Sequence, residues 1–205
     1  MRGLIGKKIG MTRVFNSNGN AIPVTVLEVG PCHVVQVKTL ENDGYEAVQV
    51  GFMDSKQKHI TKPLAGHFSK NNVKPAKVLA EFQQVPKFEY KPGQVFNVTI
   101  FNEGDFVSVS GKSKGRGFSG TIKKYSFSTQ RKTHGQGDTH RHVGSIGAAS
   151  DPSRVFPGKK MPGRYGNKTV SVKDLEVIEV KKNRNQLLVK GSVPGSTNGI
   201  LYITR

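Results

Sequence analysis

Apolar and polar residues alternate over short distances toward both ends of the chain. Ile22 to Val29, Cys32 to Lys38 and Glu46 to Phe52 are rich in β-branched residues and bounded by turn formers, so each predicts a strand. Asn16-Ser17-Asn18-Gly19-Asn20 and Glu41-Asn42-Asp43-Gly44 lie between such runs. Asn-Gly and Asp-Gly pairs tolerate the positive φ of tight turns, which predicts antiparallel connections. The alternation returns at Gln94 to Phe101 and Asp105 to Ser110, and again at Thr169 to Val172, Leu175 to Val180, Gln186 to Lys190 and Ile200 to Ile203. Residues 53–90 hold no sustained period and carry Lys, His and Pro clusters. They predict an irregular α/β insertion, with a short amphipathic helix over Val73 to Phe82 after Pro75. Short, closely spaced strands without a long helical pattern predict a mainly β fold. The expected architecture is a small antiparallel β-barrel rather than a sandwich or a parallel sheet.

The pattern fails between residues 112 and 168. Ile122, Val143, Ile146 and Val155 are the only Leu, Ile or Val residues there, too few for a core. The cations are Lys112, Lys114, Arg116, Lys123, Lys124, Arg131, Lys132, Arg141, Arg154, Lys159, Lys160, Arg164 and Lys168, against Asp138 and Asp151, so this stretch holds +11 of the chain's +18. A segment so charged, so rich in glycine and so poor in aliphatics cannot offset its ordering entropy alone, and a polyanion is expected to order it. The chain therefore divides into 1–111, the first part of the barrel with the insertion at about 53–90; 112–168, an extended basic arm; and 169–205, the strands that complete the barrel. A connection of that length without regular structure is uncommon in a compact domain and is usually functional or disordered.

Composition narrows the partner. A sequence pI near 10.1 favours phosphate by direct contact and by counterion release, and nucleic acid is the leading polyanion. No window carries the 18 or more apolar residues of a membrane span, and the arm lacks the apolar helical face of interfacial binding, so no membrane partner is expected. Lys7 and Lys8 interrupt the place where a signal peptide needs its apolar run. Cys32 is the sole cysteine, which excludes a disulfide framework and a Cys-based zinc site, and suits a small apolar role in a reducing compartment. The cytoplasm is the expected location.

Catalytic and cofactor readings fail on context. Gly115-Arg116-Gly117-Phe118-Ser119-Gly120 fits G-x-G-x-x-G, but a Lys/Arg/His-rich loop follows in place of a helix, and no acid stands at the end of a second strand. The glycines instead allow close backbone approach to a partner while Lys112, Lys114 and Arg116 reach its phosphates. His134, His140 and His142, with Asp138 alone to supplement them, lack zinc-ligand spacing; beside Arg141 they suit base stacking or donation to phosphate and 2′-hydroxyl groups. Ser145 and Asp151 have no nucleophile elbow, so no catalytic residue, metal, cofactor or small-molecule substrate is assigned. Phe118, Tyr125, Phe127, Phe156 and Tyr165 are interleaved with the cations as stacking platforms, although Phe118 and Tyr165, near the arm's ends, are expected to anchor its roots on the barrel. Pro152, Pro157 and Pro162 with Gly158 and Gly163 predict an extended, bent path without helix.

Eight segments carry a family resemblance, in order along nearly the whole chain: Gly3-Leu4-Ile5-Gly6-Lys7-Lys8-Ile9-Gly10-Met11-Thr12, Ile22-Pro23-Val24-Thr25-Val26, Asn42-Asp43-Gly44-Tyr45, Lys62-Pro63 with Gly66-His67-Phe68, Ser113-Lys114-Gly115-Arg116-Gly117-Phe118, Gly144-Ser145-Ile146-Gly147, Gly158-Lys159-Lys160-Met161 and Leu187-Leu188-Val189-Lys190-Gly191. Together they resemble the bacterial form of the large-subunit ribosomal protein three family. The resemblance implies a barrel of the translation-protein type on the outer surface of the large subunit and a long extension running through 23S ribosomal RNA toward the peptidyl transferase centre. It further implies an early role in subunit assembly, neighbouring large-subunit ribosomal proteins as partners, and RNA contacts by Lys7, Lys8 and His67 beside those of the arm. Some bacterial members carry a methylated glutamine near the extension's tip; here Ala148, Ala149, Ser150 and Asp151 follow Gly147, and that glutamine is absent. The competing classes are an RNA-modifying or nucleotide-dependent enzyme, which needs a pocket of convergent acid and base groups, and a free regulatory binder that takes duplex DNA as readily as folded RNA.

Overall fold

The computed structural model describes residues 1–85 and 88–205. It divides into two compact units, one of Met1–Ser113 with Thr169–Arg205 and the other of Lys114–Lys168. The first unit is built on six strands: β1 (Gly3–Phe15), β2 (Ala21–Val29), β7 (Phe106–Lys112), β10 (Thr169–Lys181), β11 (Gln186–Lys190) and β12 (Ile200–Thr204). They pair antiparallel in the order β1-β12-β7-β10-β11-β2, and β2 pairs back onto β1, closing a barrel and leaving no free edge. Alternation does what the sequence predicts: in β7, Val107 and Val109 are buried while Phe106 is exposed, and across from them Ile203 faces Val109 and Leu201 faces Gly111. Asn16 caps the β1–β2 turn, its Oδ1 accepting from the amides of Asn18 (3.1 Å) and Asn20 (2.8 Å), with Gly19 at φ 76°.

A second sheet, β5-β4-β3-β6, comprises β3 (Cys32–Lys38), β4 (Ala47–Asp54), β5 (Ala76–Phe82) and β6 (Val95–Phe96). Its Val34, Val48, Val50 and Phe52 share one apolar core with Leu4, Ile5, Leu27 and Ile203 of the barrel. The opposite face carries α2 (Lys62–Lys70), whose Phe68 packs with Val35 and Val73. Pro63 in the helix's first turn fits there because its missing N–H has no partner to lose.

Four expectations differ from what is found. Val73 to Phe82 is not a helix: β5 is a strand clasped between two apolar clusters, with Val78 and Ala80 on the main core and Ala76 and Leu79 toward Phe68. Apolar residues on both faces imitate a helical stripe, and the ladder to β4 decides the outcome. Of Gln94 to Phe101, only Val95–Phe96 pairs; Val98–Ile100 is a 3₁₀ turn that sends Val98 and Phe101 into the core. The two runs after the arm form a single strand, β10, whose register shifts between Val172 and Leu175 at a bulge holding Asp174 at φ 56°. Glu41 to Gly44 forms no tight hairpin turn: α1 (Leu40–Asp43) is one helical turn with Gly44 as its left-handed cap at φ 77°. Residues 86 and 87 of the expected insertion lie outside the described residues.

β1 was not foreseen, because its glycines and lysines hide the alternation. Gly3 and Gly6 are there for steric reasons. A methyl group on Gly3 would overlap the Ile203 carbonyl and lie 2.8 Å from the Phe82 ring, so β12 and β5 close onto the strand only without it. Cys32 is fully buried near the Ile5 carbonyl, and burial pushes its thiol up to about 11, in keeping with an inert packing role.

Gly3→Ala is expected to cost roughly 1 to 3 kcal/mol through overpacking. Gly10→Ala, on the same strand with nothing within 4 Å of the added methyl, should stay within about 0.5 kcal/mol. Melting temperatures of the two variants check this, and equal values would remove the steric account of β1.

Candidate nucleic-acid interface

The second unit begins and ends as a ribbon. β8 (Phe118–Ser119) pairs with β9 (Gly163–Arg164), and outside that bridge the Arg116 amide donates to the Tyr165 carbonyl while the Tyr165 amide donates to Gly117, both at 2.9 Å. Gly166, at φ 74°, brings its Cα so close to the Lys114 carbonyl that any side chain would collide. A short helix, α3 (Thr121–Tyr125), follows and stops at Ser126 in the left-handed region, φ 58°. Beyond it, Asp138–Arg141 forms one 3₁₀ turn, and the rest of the unit to β9 is turns and extended chain.

Of all residues from Lys114 to Lys168, only Ser119 and Thr121 are buried, and neither is apolar. Backbone and polar contacts shape this unit. Gln136 Nε2 donates to Gln130 Oε1 (3.0 Å) and to Thr139 Oγ1, the Gln130 amide donates to the His140 carbonyl (3.1 Å), and His140 Nδ1 lies 2.9 Å from the Arg131 carbonyl. The small helix-and-turn content leaves the proline-rich half, 142–162, free of helix as expected.

The cations point outward. Lys112, Lys114, Arg116, Lys123, Arg131, Lys132, Arg141, Arg154, Lys159, Lys160, Arg164 and Lys168 are exposed, as are His134 and His142; Lys124 and His140 are half-buried. With two acids for thirteen cations, at least eleven positive charges have no acid of their own within this stretch. Aromatic rings lie under several of them: Lys124 Nζ is 5.0 Å and Lys160 Nζ 5.8 Å from the Tyr125 centroid, and the Arg154 guanidinium is 5.5 Å from that of Phe156. Phe118 is 82% exposed, so the anchoring expected of it is not found.

The remaining three candidates behave differently. Lys8 is buried, with Nζ donating to the Val193 carbonyl at 3.1 Å and the Gly195 carbonyl at 3.4 Å; its ammonium serves the barrel and is removed from the interface. Lys7 pairs with Glu28 at 3.0 Å across the β1–β2 ladder. His67 Nε2 donates to Gln49 Oε1 at 2.7 Å, and Gln49 leads on to Glu81, which also accepts from Tyr45 (2.7 Å) and pairs with Lys38 (3.1 Å). The Tyr45 hydroxyl holds the Glu81 carboxyl below its usual range, and its bond to Lys38, followed by Glu81, raises that ammonium to about 12. His67 is thus tied into a polar relay on the second sheet.

A profile of the family described as Ribosomal protein L3 matches residues 86–186. Full-length relatives agree. The large ribosomal subunit protein uL3 of Thermotoga maritima is 50% identical over 203 residues, covering 99% of this chain and 96% of the relative. The chain belongs to the L3 family. The proteins of the same name from Petrotoga mobilis and Paraburkholderia phymatum are 49% and 48% identical, covering 99% and 98% of this chain. It is therefore a ribosomal protein of the large subunit.

Sequence reasoning missed Thr121, Gln130 and Gln136. Neutral side chains in a basic tract carry no signal of their own; only their meeting across α3 and the 3₁₀ turn distinguishes them.

The lack of a buried apolar residue in this unit has a measurable consequence. In the isolated protein, amides across 128–160 should exchange within seconds to minutes at neutral pH, while those of β7 and β10 stay protected. Comparable protection in the two regions would show that the arm holds itself together.

Proposed function

We propose that this L3 protein binds 23S ribosomal RNA through the Lys114–Lys168 unit, supports early assembly of the large subunit, and extends the arm toward the peptidyl transferase centre. The observation that carries the reading is a unit with twelve cations against two acids, a net charge of +10, and no buried apolar side chain. Such a unit gains its order from a partner that supplies phosphates in number, and family membership makes that partner ribosomal RNA. Cations neutralise phosphates and release counterions, the exposed rings and guanidinium planes offer stacking to unpaired bases, and the glycines admit close approach. The role is structural: peptide transfer belongs to the RNA, and the arm's tip acts by holding nearby RNA in place. Neighbouring large-subunit proteins complete the surroundings of the barrel.

Excision of the arm tests the assignment. Lys112 lies directly opposite Thr169 in the β7–β10 ladder, so Asn-Gly in place of 113–168 closes the pair as a two-residue hairpin. This variant should melt cooperatively, yet bind 23S RNA fragments at least a hundredfold more weakly at equal salt, with a much shallower salt dependence, since each lost phosphate contact lowers the slope by about one. Unchanged affinity would place the RNA-binding surface on the barrel.

Arg141→Ala addresses the tip. Arg141 is exposed on the 3₁₀ turn, so the fold should change by no more than about 0.5 kcal/mol, whereas ribosomes carrying the variant should form peptide bonds more slowly. A loss of several degrees in melting temperature with a normal reaction rate would make the residue structural for the protein itself.

A further inference from the structure

Within the arm, α3, the 3₁₀ turn and the approach to β9 enclose a cleft of about 710 Å³, in the range of small-molecule sites. Thr121, Gln130, Gln136, Thr139, Arg141 and His142 line it, and no acid does. Thr121 is 1% exposed, and its Oγ1 is the one buried side-chain oxygen or nitrogen among the described residues without a hydrogen-bond partner. A buried hydroxyl left unpaired is costly, and a guest that bonds to it relieves that cost. On the facing wall Gln136 bonds to both Gln130 and Thr139.

We infer that this cleft receives a single unpaired nucleotide of ribosomal RNA, turned out of its stack. The inference rests on the RNA-binding reading above and narrows it to one site. Inorganic phosphate alone fits the lining poorly, because Arg141 is its only fixed cation. A nucleotide fits each part: amide side chains offer both donors and acceptors to a base edge, the Arg141 fork suits its phosphate, the His142 ring suits stacking, and the Thr121 hydroxyl suits a base or ribose group. A cleft of this volume is of a size for one residue of a strand. The cleft is thus a place in the arm for capturing an individual base, and Thr121 is the residue whose hydroxyl gains a partner on capture.

The test uses assembled large subunits containing the full chain. Ultraviolet irradiation, isolation of protein bound to intact ribosomal RNA, then nuclease and protease digestion should yield a nucleotide adduct on a cleft residue such as His142 or Gln136, joined to one RNA position. In particles with Thr121→Val the yield of that adduct should fall at least fivefold while adducts at Lys159 and Lys160 persist. Gly120→Leu, at a φ of −67° and with open space at its Cβ, narrows the cleft and should lower the yield likewise. Adducts at Lys159 and Lys160 with none in the cleft, a cleft adduct indifferent to both substitutions, or a cleft peptide carrying nucleotide but absent from the RNA-bound fraction would each overturn the inference and leave the arm's RNA role standing. No adduct anywhere from Lys114 to Lys168 would overturn that role as well.

Discussion

Closure of the six-stranded ring is the constraint on which the rest depends. Each barrel strand has a neighbour on both sides, so the first unit meets its backbone hydrogen bonds and its apolar burial without help from residues 114–168. The insertion of a long tract between two residues that face each other in the ladder, Lys112 and Thr169, costs the barrel little more than loop closure, which grows only slowly with length. A chain can then send out a segment that could never fold by itself. Gly111 shows how tightly the launch point is held: a methyl group there would meet Leu201 of β12 at 2.5 Å.

Charge is divided along the same line. Outside 112–168 the chain keeps only +7, and several of its cations pair with acids, as in Lys7 with Glu28, Lys190 with Glu176 and Arg205 with Asp105 at about 3 Å. Such exposed pairs add little stability, but each offsets a charge that would otherwise attract phosphate. The arm keeps its charge. Rings beneath Lys124, Lys160 and Arg154 hold those heads near flat apolar surface without cancelling them, so they remain available to an external anion.

Sequence periodicity revealed β2, β7, β11 and β12 of the barrel and β3 and β4 of the second sheet as short apolar, β-branched runs, with strict alternation clearest in β7 and β12, which bury one face. It failed where that condition lapsed. β5 is apolar on both faces, β1 is packed through glycines at 3 and 6, and Val98 with Phe101 reaches the core by a 3₁₀ spacing of three. The arm's extent was legible in composition alone, since charge and missing aliphatics need no geometry to interpret. Individual side chains were not: Lys8 reads as a surface cation beside Lys7, but the bulge in β1 after Lys8 and the carbonyls of Val193 and Gly195 turn it inward. Thr121 and the two glutamines had no sequence signal for the opposite reason, since neutral polar residues become a site only when the fold brings them together.

The two units place their stability in different currencies, and that difference bears on assembly. Ordering a backbone residue costs about 1 to 2 kcal/mol, which the barrel recovers by apolar burial and the arm cannot recover internally. The arm adds strain, with Ser126, His134 and Ser153 held at φ between 55° and 60° where glycine would be at ease. Under the proposed RNA-binding role a partner would supply both, so that binding and ordering become one event where RNA presents matching phosphates and unpaired bases. RNA helices that are not yet in place cannot order it. On the reading proposed above, a barrel that folds first and an arm that folds on its target would let one chain dock early and report, by the completeness of the arm's contacts, whether the RNA around it has reached its final arrangement.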